Sequence, residues 1–316
     1  MAVITESAPS NIALIKYMGK TEVSGNRPAN ASLSYTLEHL RSYVRLTPVK
    51  GADCWVPLAG YPEIKLSAKG LEKFLKHFQL CKNKLGIQGN FEIASANDFP
   101  SDCGLASSAS SFAALTKAAY ELARSQNADF VLPVKDLSAI SRQGSGSSSR
   151  SFFSPWAMWR DEFAEPAELK LKLQHAVVIV EDRVKSVSSS EAHKRVTTSE
   201  LFKGRIERAH SRLGQLLTAL SESSGNSEPW RQAYELCWAE FWDMHALFET
   251  SQPSFGYLSS GSLEVLSRLR QVWQDAGDGP LVTMDAGPNV HLLLRADQTA
   301  QAEQWLKGLN TIKSWS

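Results

Sequence analysis

Four short stretches of this sequence hold side chains whose types and spacing suit the binding and transfer of anionic groups. The first, Phe99 to Ser111, follows a strand pattern and opens an Ala-rich helical segment. Gly104 permits a tight turn there, and the small residues from Ala106 through Ser107, Ser108 and Ala109 let backbone come close to a ligand. Unpaired N–H groups in a first helical turn, and the helix dipole, favour an anion at that point. The hydroxyls of Ser107 and Ser108 can reach a phosphate or its metal. A helix start packed tightly on a sheet would have the same composition. The second stretch, Gly144 to Arg150, puts two glycines, four serines and one guanidinium into seven residues. That set matches an oxyanion cradle with an arginine fork for phosphate or carboxylate, and equally a solvated Gly/Ser loop. In the third, Lys16 and Lys20 follow an apolar strand and are either cations of a site or a solvated strand end. In the fourth, Asp285 ends a strand before Gly287-Pro288, where it either bonds nearby N–H groups or acts as a general base.

The elements that must position these groups follow from periodicity. Strands are expected at Ser42–Val49, Asn90–Ala94, Gln174–Val180, Leu281–Asp285 and Val290–Arg295. Helices are expected at Lys69–Phe78, Leu105–Arg124 and Val134–Arg142, then at about 201–221, 229–249, 262–275 and 297–308. His245 falls inside the long helix 229–249 and reads as a packed residue. The segment 143–151 reads as a loop, and the acidic Arg160–Glu168 as a surface connection between two halves. Strands mixed with helices on both sides of it give an α+β class, and 316 residues suit two domains, 1–170 and 171–316.

Composition narrows the function. With 34 Lys and Arg against 33 Asp and Glu, the net charge is +1, so no global field draws nucleic acid or an anionic membrane. An anionic ligand needs a local site. The four cysteines, Cys54, Cys81, Cys103 and Cys237, show no C-x-x-C spacing, and the histidines form no H-E-x-x-H or His–Cys cluster. Neither a disulfide framework nor a transition-metal site is expected. The chain has no apolar run of 18 residues and no basic leader, which points to a cytoplasmic protein.

Taken together, the stretches resemble the GHMP superfamily of small-molecule kinases and, within it, the diphosphomevalonate decarboxylase family. The resemblance rests on Asn11 to Lys20, Asn26 to Leu37, Gly104 to Ser110, Ser145 to Ser151, Met284 to Asn289, and Met244 to Ala246 with Tyr257, in order along the chain. It implies a two-domain GHMP fold with the active site in the cleft between domains, ATP and Mg²⁺ as cofactors, and a homodimer. The implied reaction is phosphorylation of the 3-hydroxyl of mevalonate 5-diphosphate followed by decarboxylative elimination. By resemblance, Asp285 is the catalytic aspartate, Arg150 engages the substrate carboxylate, and Lys16 and Asn11 support them. Tyr17, Lys20, Ser145, Ser147 and Ser189 would hold the substrate. Gly104, Leu105, Ala106, Ser107, Ser108 and Ala109 would hold ATP, with Ser107 or Ser108 toward the metal.

The chain departs from the family pattern in three places. Met18 stands for a tryptophan, Ser148-Ser149 stand for Ala-Cys, and Ser190 stands where an arginine helps hold the substrate's diphosphate. Lys185, Lys194 and Arg195 are the neighbouring residues that could replace that charge. The rival readings are a phosphomevalonate decarboxylase, a mevalonate 3-kinase, and a catalytically dead homologue acting as a sensor or interaction protein. The joint retention of Asp285, Arg150, Lys16 and both phosphate-loop serines argues against the last.

Overall fold

A computed structural model describes residues 2–21, 24–100, 107–181, 186–223 and 226–315. The first half contains β1 (Ile4–Ile15), β2 (Ser32–Val49), β3 (Cys54–Pro57), α1 (Ala68–Leu85), β4 (Asn90–Asn97), α2 (Ser107–Gln126), α3 (Val134–Gly144), β5 (Trp156–Trp159) and β6 (Ala164–Pro166). Its strands form one sheet in the order β3-β4-β2-β5-β6, with β1 also paired to the long β2. The second half contains β7 (Gln174–Val178), α4 (Ser189–Arg195), α5 (Arg205–Glu222), α6 (Ser227–Glu249), α7 (Ser260–Ala276), β8 (Leu281–Thr283), β9 (Val290–Leu294), α8 (Thr299–Trp305) and β10 (Thr311–Lys313). These strands form a second sheet, β10-β7-β9-β8. The fold is α+β.

Local chemistry accounts for the elements that matter to the site. Helix α1 starts where the Ser67 side chain accepts from Gly70 N–H and stops at Gly86, whose φ of 71° suits glycine. Its buried Phe74, Phe78, Cys81 and Leu85 recur at helical spacing. Helix α2 buries Ala113, Ala114, Ala118 and Ala119, small residues that let it lie close on the sheet, together with Leu115 and Leu122. A single apolar cluster joins the two sheets: Ile12, Leu33 and Trp156 of the first pack with Val177, Trp230, Phe241 and Leu292 of the second half. The cleft walls therefore share one core.

Two features aim residues at the cleft. The β1–β2 register shifts between Pro9 and Ser10 and again between Ala13 and Ile15, a bulge that re-aims the strand end carrying Lys16. The segment after α3 is an ordered 3-10 turn, Gly146–Phe152, rather than the expected loop. A Cβ on Gly144 would lie 2.3 Å from the Phe112 ring and 2.5 Å from His77, and one on Gly146 would lie 2.7 Å from the Tyr17 ring. Both glycines are required by close packing.

Other expectations are corrected. Arg160–Glu168 is no simple connection: Ala164–Pro166 form β6 against β5, Ala164 is buried, and its N–H reaches Ser138 Oγ at 2.9 Å. The outward acidic residues had masked the strand. The helix expected from 201 begins at Arg205, because Gly204, at φ 77°, separates it from a 3-10 turn over Glu200–Phe202. The strand toward Asp285 ends at Thr283, leaving Asp285 in the following turn. The helix expected over 297–308 is a 3-10 turn, Ala296–Gln298, and then α8. Helix α4 was not foreseen in its serine-rich segment; Ser188 starts it by accepting from Glu191 N–H. The expected helix start at Leu105 lies outside the described residues.

Gly144→Ala should lose about 1–3 kcal/mol of stability in urea unfolding, the usual penalty of overpacking, and lower turnover by displacing the turn that carries Arg150. An unchanged unfolding midpoint would contradict this packing.

Candidate active site

A cleft of about 530 Å³ lies between α1, α2 and the 145–150 turn on one side and α4, α6 and the turn after β8 on the other. Its described lining includes Lys16, Lys20, Lys65, Lys69, Lys73 and Arg150, with Asp285 as the one carboxylate among the described residues. The excess of cations is the local anion site that a chain of net charge +1 requires.

At its centre Lys16 Nζ donates to Asp285 Oδ1 at 2.6 Å, with the lysine buried and a quarter of the Asp285 side chain open. Lys16 is held from behind by its backbone. Its N–H donates to Glu240 Oε1 at 3.0 Å, and its carbonyl accepts from Asn30 Nδ2 at 2.9 Å. Glu240 is itself fully buried and paired with the buried Arg205 and with Arg212. Asp285 is fixed through its turn: its carbonyl accepts from His245 Nε2 at 3.2 Å, and Asn289 Oδ1 accepts from Val180 N–H at 2.7 Å. Burial opposes a charge on Asp285, but Lys16, His291 and Arg150 outweigh it and hold the carboxyl below its usual range. Asp285 is thus kept ionised. Burial, with Lys16 beside it, pushes His245 down to about 4, so this histidine is a neutral donor that positions Asp285, a task its expected packing role did not include.

Arg150 is buried, and burial lowers its pKa to about 10 against the pull of Asp285 and Tyr17. Its Nε donates to Asn11 Oδ1 at 3.2 Å and its NH1 to Ser32 Oγ at 2.8 Å, and its guanidinium lies 5.8 Å over the Trp159 ring. Asn11 Nδ2 also donates to Ser151 Oγ at 2.8 Å and to the Ser147 carbonyl at 3.2 Å. Asn11 therefore stands behind the cleft wall and orients Arg150. The four serines divide: Ser145 and Ser147 line the cleft, whereas Ser148 and Ser149 are buried and donate to the carbonyls of Ser145 (2.6 Å) and Gly146 (2.9 Å).

Ser107 and Ser108 line the cleft at the start of α2, and Ser108 Oγ is 2.9 Å from Ser145 Oγ. Ala109 is buried beneath them. Gly104, Leu105 and Ala106, like Cys103, lie outside the described residues. Hydroxyls lining a cleft together with Lys65, Lys69 and Lys73, which have no carboxylate partner among the described residues, are a donor set that fits a nucleotide triphosphate with its divalent cation.

At the other end Tyr17 packs between Trp159 and His193, with ring centroids 4.5 and 4.2 Å away. Lys20 Nζ donates to Asn26 Oδ1 at 2.6 Å; burial first, then Lys73 and Lys194, lower its pKa to about 8. Ser189 and Ser190 line the cleft from α4. Of the residues that could replace a cation at position 190, Arg195 is engaged by Glu191 at 3.0 Å and lies 5.6 Å over Phe255, while Lys185 lies outside the described residues. Sequence reasoning missed Glu240, Arg205, Asn26, His193 and Lys73. Only Glu240 had a legible signal: a carboxylate on the apolar face of α6, three residues after Cys237 and four before Met244.

The family model for a diphosphomevalonate decarboxylase-like N-terminal domain matches residues 8–167, and that for a mevalonate 5-diphosphate decarboxylase C-terminal domain matches 175–314. The diphosphomevalonate decarboxylase of Danio rerio is 30% identical over 315 residues, spanning 92% of this chain and 75% of its own length. A crystal structure of a mevalonate diphosphate decarboxylase from Legionella pneumophila superposes with a TM-score of 0.91 at 42% identity, covering 98% of this chain and 100% of that one. A structure of MDDEF in complex with MVAPP, AMPPCP and magnesium gives a TM-score of 0.85 at 29% identity, covering 98% and 96%.

Glu240→Gln should cost about 3 kcal/mol in urea unfolding, because it leaves the buried Arg205 only its longer, 3.5 Å contact with Asp243, and should lower turnover through Lys16. A variant as stable as the parent would remove Glu240 from the support of the site.

Proposed function

This chain belongs to the diphosphomevalonate decarboxylase family, and on that premise we propose that its cleft converts mevalonate 5-diphosphate and ATP to isopentenyl diphosphate, CO₂, phosphate and ADP. The observation that carries the reading is the ionised Asp285, paired with Lys16 beside the buried Arg150 in a cleft otherwise lined by cations.

A tertiary alcohol leaves poorly, so it is first made into a phosphate ester. Asp285 takes the proton of the 3-hydroxyl as that oxygen forms its bond to the γ-phosphorus and the bond to the ADP oxygen breaks. The C3–O bond then breaks with its electrons leaving on phosphate, and the electrons of the C1–C2 bond become the C2–C3 double bond as CO₂ departs. Arg150, its fork fixed by Asn11 and Ser32, holds the carboxylate in line until that bond breaks. Lys16 keeps Asp285 charged and adds a positive charge beside the transferring group. Ser107 or Ser108 would hold a magnesium ion, which when bound would neutralise charge on the nucleotide phosphates.

The same proposal assigns Tyr17, Lys20, Ser145, Ser147 and Ser189 to the substrate. It assigns Gly104, Leu105, Ala106, Ser107, Ser108 and Ala109 to ATP. It divides the chain at about residue 170, in the interval between β6 and β7, and places the protein in the cytoplasm as a homodimer. The family resemblance supports the dimer and the compartment. None of the described helices is long and apolar enough to cross a membrane.

ADP and CO₂ release, measured with mevalonate, its 5-phosphate and its 5-diphosphate, tests the reading; turnover should be highest with the diphosphate. Asp285→Asn should bind both substrates and reduce ADP and CO₂ formation together by about 10²–10⁴-fold, the contribution of a positioned base. Near-parental ADP release from that variant would overturn the role of Asp285.

A further inference from the structure

Asn26 has no task in the chemistry described so far, yet it holds more of the cleft together than any other neutral side chain on its wall. It stands at φ 58°, the one positive φ outside glycine among the described residues, a conformation that asparagine tolerates better than most side chains. It lines the cleft. Its amide hydrogens go to the carbonyls of Arg142 at 2.9 Å and Gln143 at 3.1 Å, in the last turn of α3, where a helix leaves carbonyls without partners of its own. Its Oδ1 accepts from Lys20 Nζ at 2.6 Å, and its backbone carbonyl accepts from the Tyr17 hydroxyl at 3.4 Å. The carbonyl of Gly25, just before it, takes the Arg142 guanidinium. Only one orientation of the amide satisfies this set, with oxygen toward the ammonium and nitrogen toward the two carbonyls. One side chain thus joins Lys20 and Tyr17 to the end of the helix from which the turn carrying Ser145, Ser147 and Arg150 departs.

What Asn26 lacks is charge. Lys20 has no carboxylate partner among the described residues. Around it stand Lys73 from α1, Lys194 and the neutral His193 from α4, and Tyr17 on its own segment. A carboxylate at position 26 would hold the ammonium equally close but would neutralise it, whereas an amide fixes its place and leaves the charge whole for a ligand. We propose that Asn26 is a positioning residue, whose amide presents the Lys20 ammonium and the Ser145–Ser147 turn to the substrate as one preformed unit. The proposal rests on the reading of the substrate given above.

Steady-state ADP release should be compared for the parent, Asn26→Gly and Asn26→Asp as a function of pH, varying the 5-diphosphate and ATP in turn. Asn26→Gly accepts the same backbone conformation without strain and frees Lys20. Its KM for the 5-diphosphate should rise about 3–10-fold, the cost of immobilising a loose lysine on binding, while KM for ATP stays within about twofold. Asn26→Asp keeps the shape and pairs the ammonium, so its KM for the 5-diphosphate should rise about tenfold. The pH profile separates this role from a merely structural one. In the parent, burial first and then Lys73 and Lys194 lower the Lys20 pKa to about 8, so kcat/KM for the 5-diphosphate falls as the pH rises through that value and the ammonium is lost. In Asn26→Asp that alkaline limb should move up by about 1–3 units, the effect of a close opposite charge; in Asn26→Gly it should not move up. A loosened loop alone would raise KM without the shift. An unchanged KM in Asn26→Gly, or an alkaline limb that stays in place in Asn26→Asp, would overturn the proposal, as would a rise in KM confined to ATP. A parent that does not turn over the 5-diphosphate would overturn the proposed reaction instead. The Lys20 pKa, followed by NMR of carbon-labelled lysine with its signal assigned by its loss in Lys20→Arg, then decides: a rise in Asn26→Asp supports Asn26 as the holder of Lys20, and an unmoved value refutes it.

Discussion

The structure is organised around one ion pair that joins its two halves. Lys16 directly follows β1 of the first sheet, Asp285 follows β8 of the second, and their 2.6 Å contact spans 269 residues of sequence. Removing two such charges from water costs several kcal/mol each unless the surroundings satisfy them. Here they do so in layers. Glu240 takes the Lys16 N–H, Arg205 and Arg212 neutralise Glu240, and Arg208 and Arg212 pair with Asp243 beside it. On the other side His245 and Asn289 hold the aspartate's turn. The shared apolar cluster of the two sheets keeps these layers in register. The pair leaves Asp285 charged, partly open, and on the wall of the cleft.

That arrangement divides the cleft by electrostatics. The only acidic group among its described lining is neutralised by a dedicated lysine, so the remaining cations are available to ligands. A chain with almost no net charge can therefore gather two polyanions without attracting nucleic acid along its surface. Burial first, then the neighbouring Lys73 and Lys194, lowers the pKa of Lys20 to about 8.

Much of this was legible in the sequence because the reacting groups sit in short, ordered motifs. The α+β class, most of the long helices and the strands around Asp285 follow from periodicity, and Lys16, Tyr17, Lys20, Ser145, Ser147 and Arg150 meet in one cleft. What could not be read was set by tertiary packing. The four serines divide into two that line the cleft and two that bond the turn's own carbonyls, and only the fold distinguishes them. The same bonds explain why Ser148 and Ser149 serve where the family carries other small residues. Met18, in place of a tryptophan, is absorbed by an apolar cluster with Met244, Phe248 and Tyr257. The acidic strand at Ala164–Pro166 was hidden by its exposed face.

The central claim is that Lys16 holds Asp285 in its charged form. The pH dependence of kcat/KM in Lys16→Met against the parent tests it most directly. In the parent the Asp285 pKa is depressed, so activity is retained as the pH falls until that low pKa is reached. Removing the ammonium leaves burial unopposed at that contact, and the acidic limb of the profile should move up by about 1–3 units, the size of a close opposite-charge effect. An acidic limb that does not move, whatever the loss in absolute rate, would contradict the account.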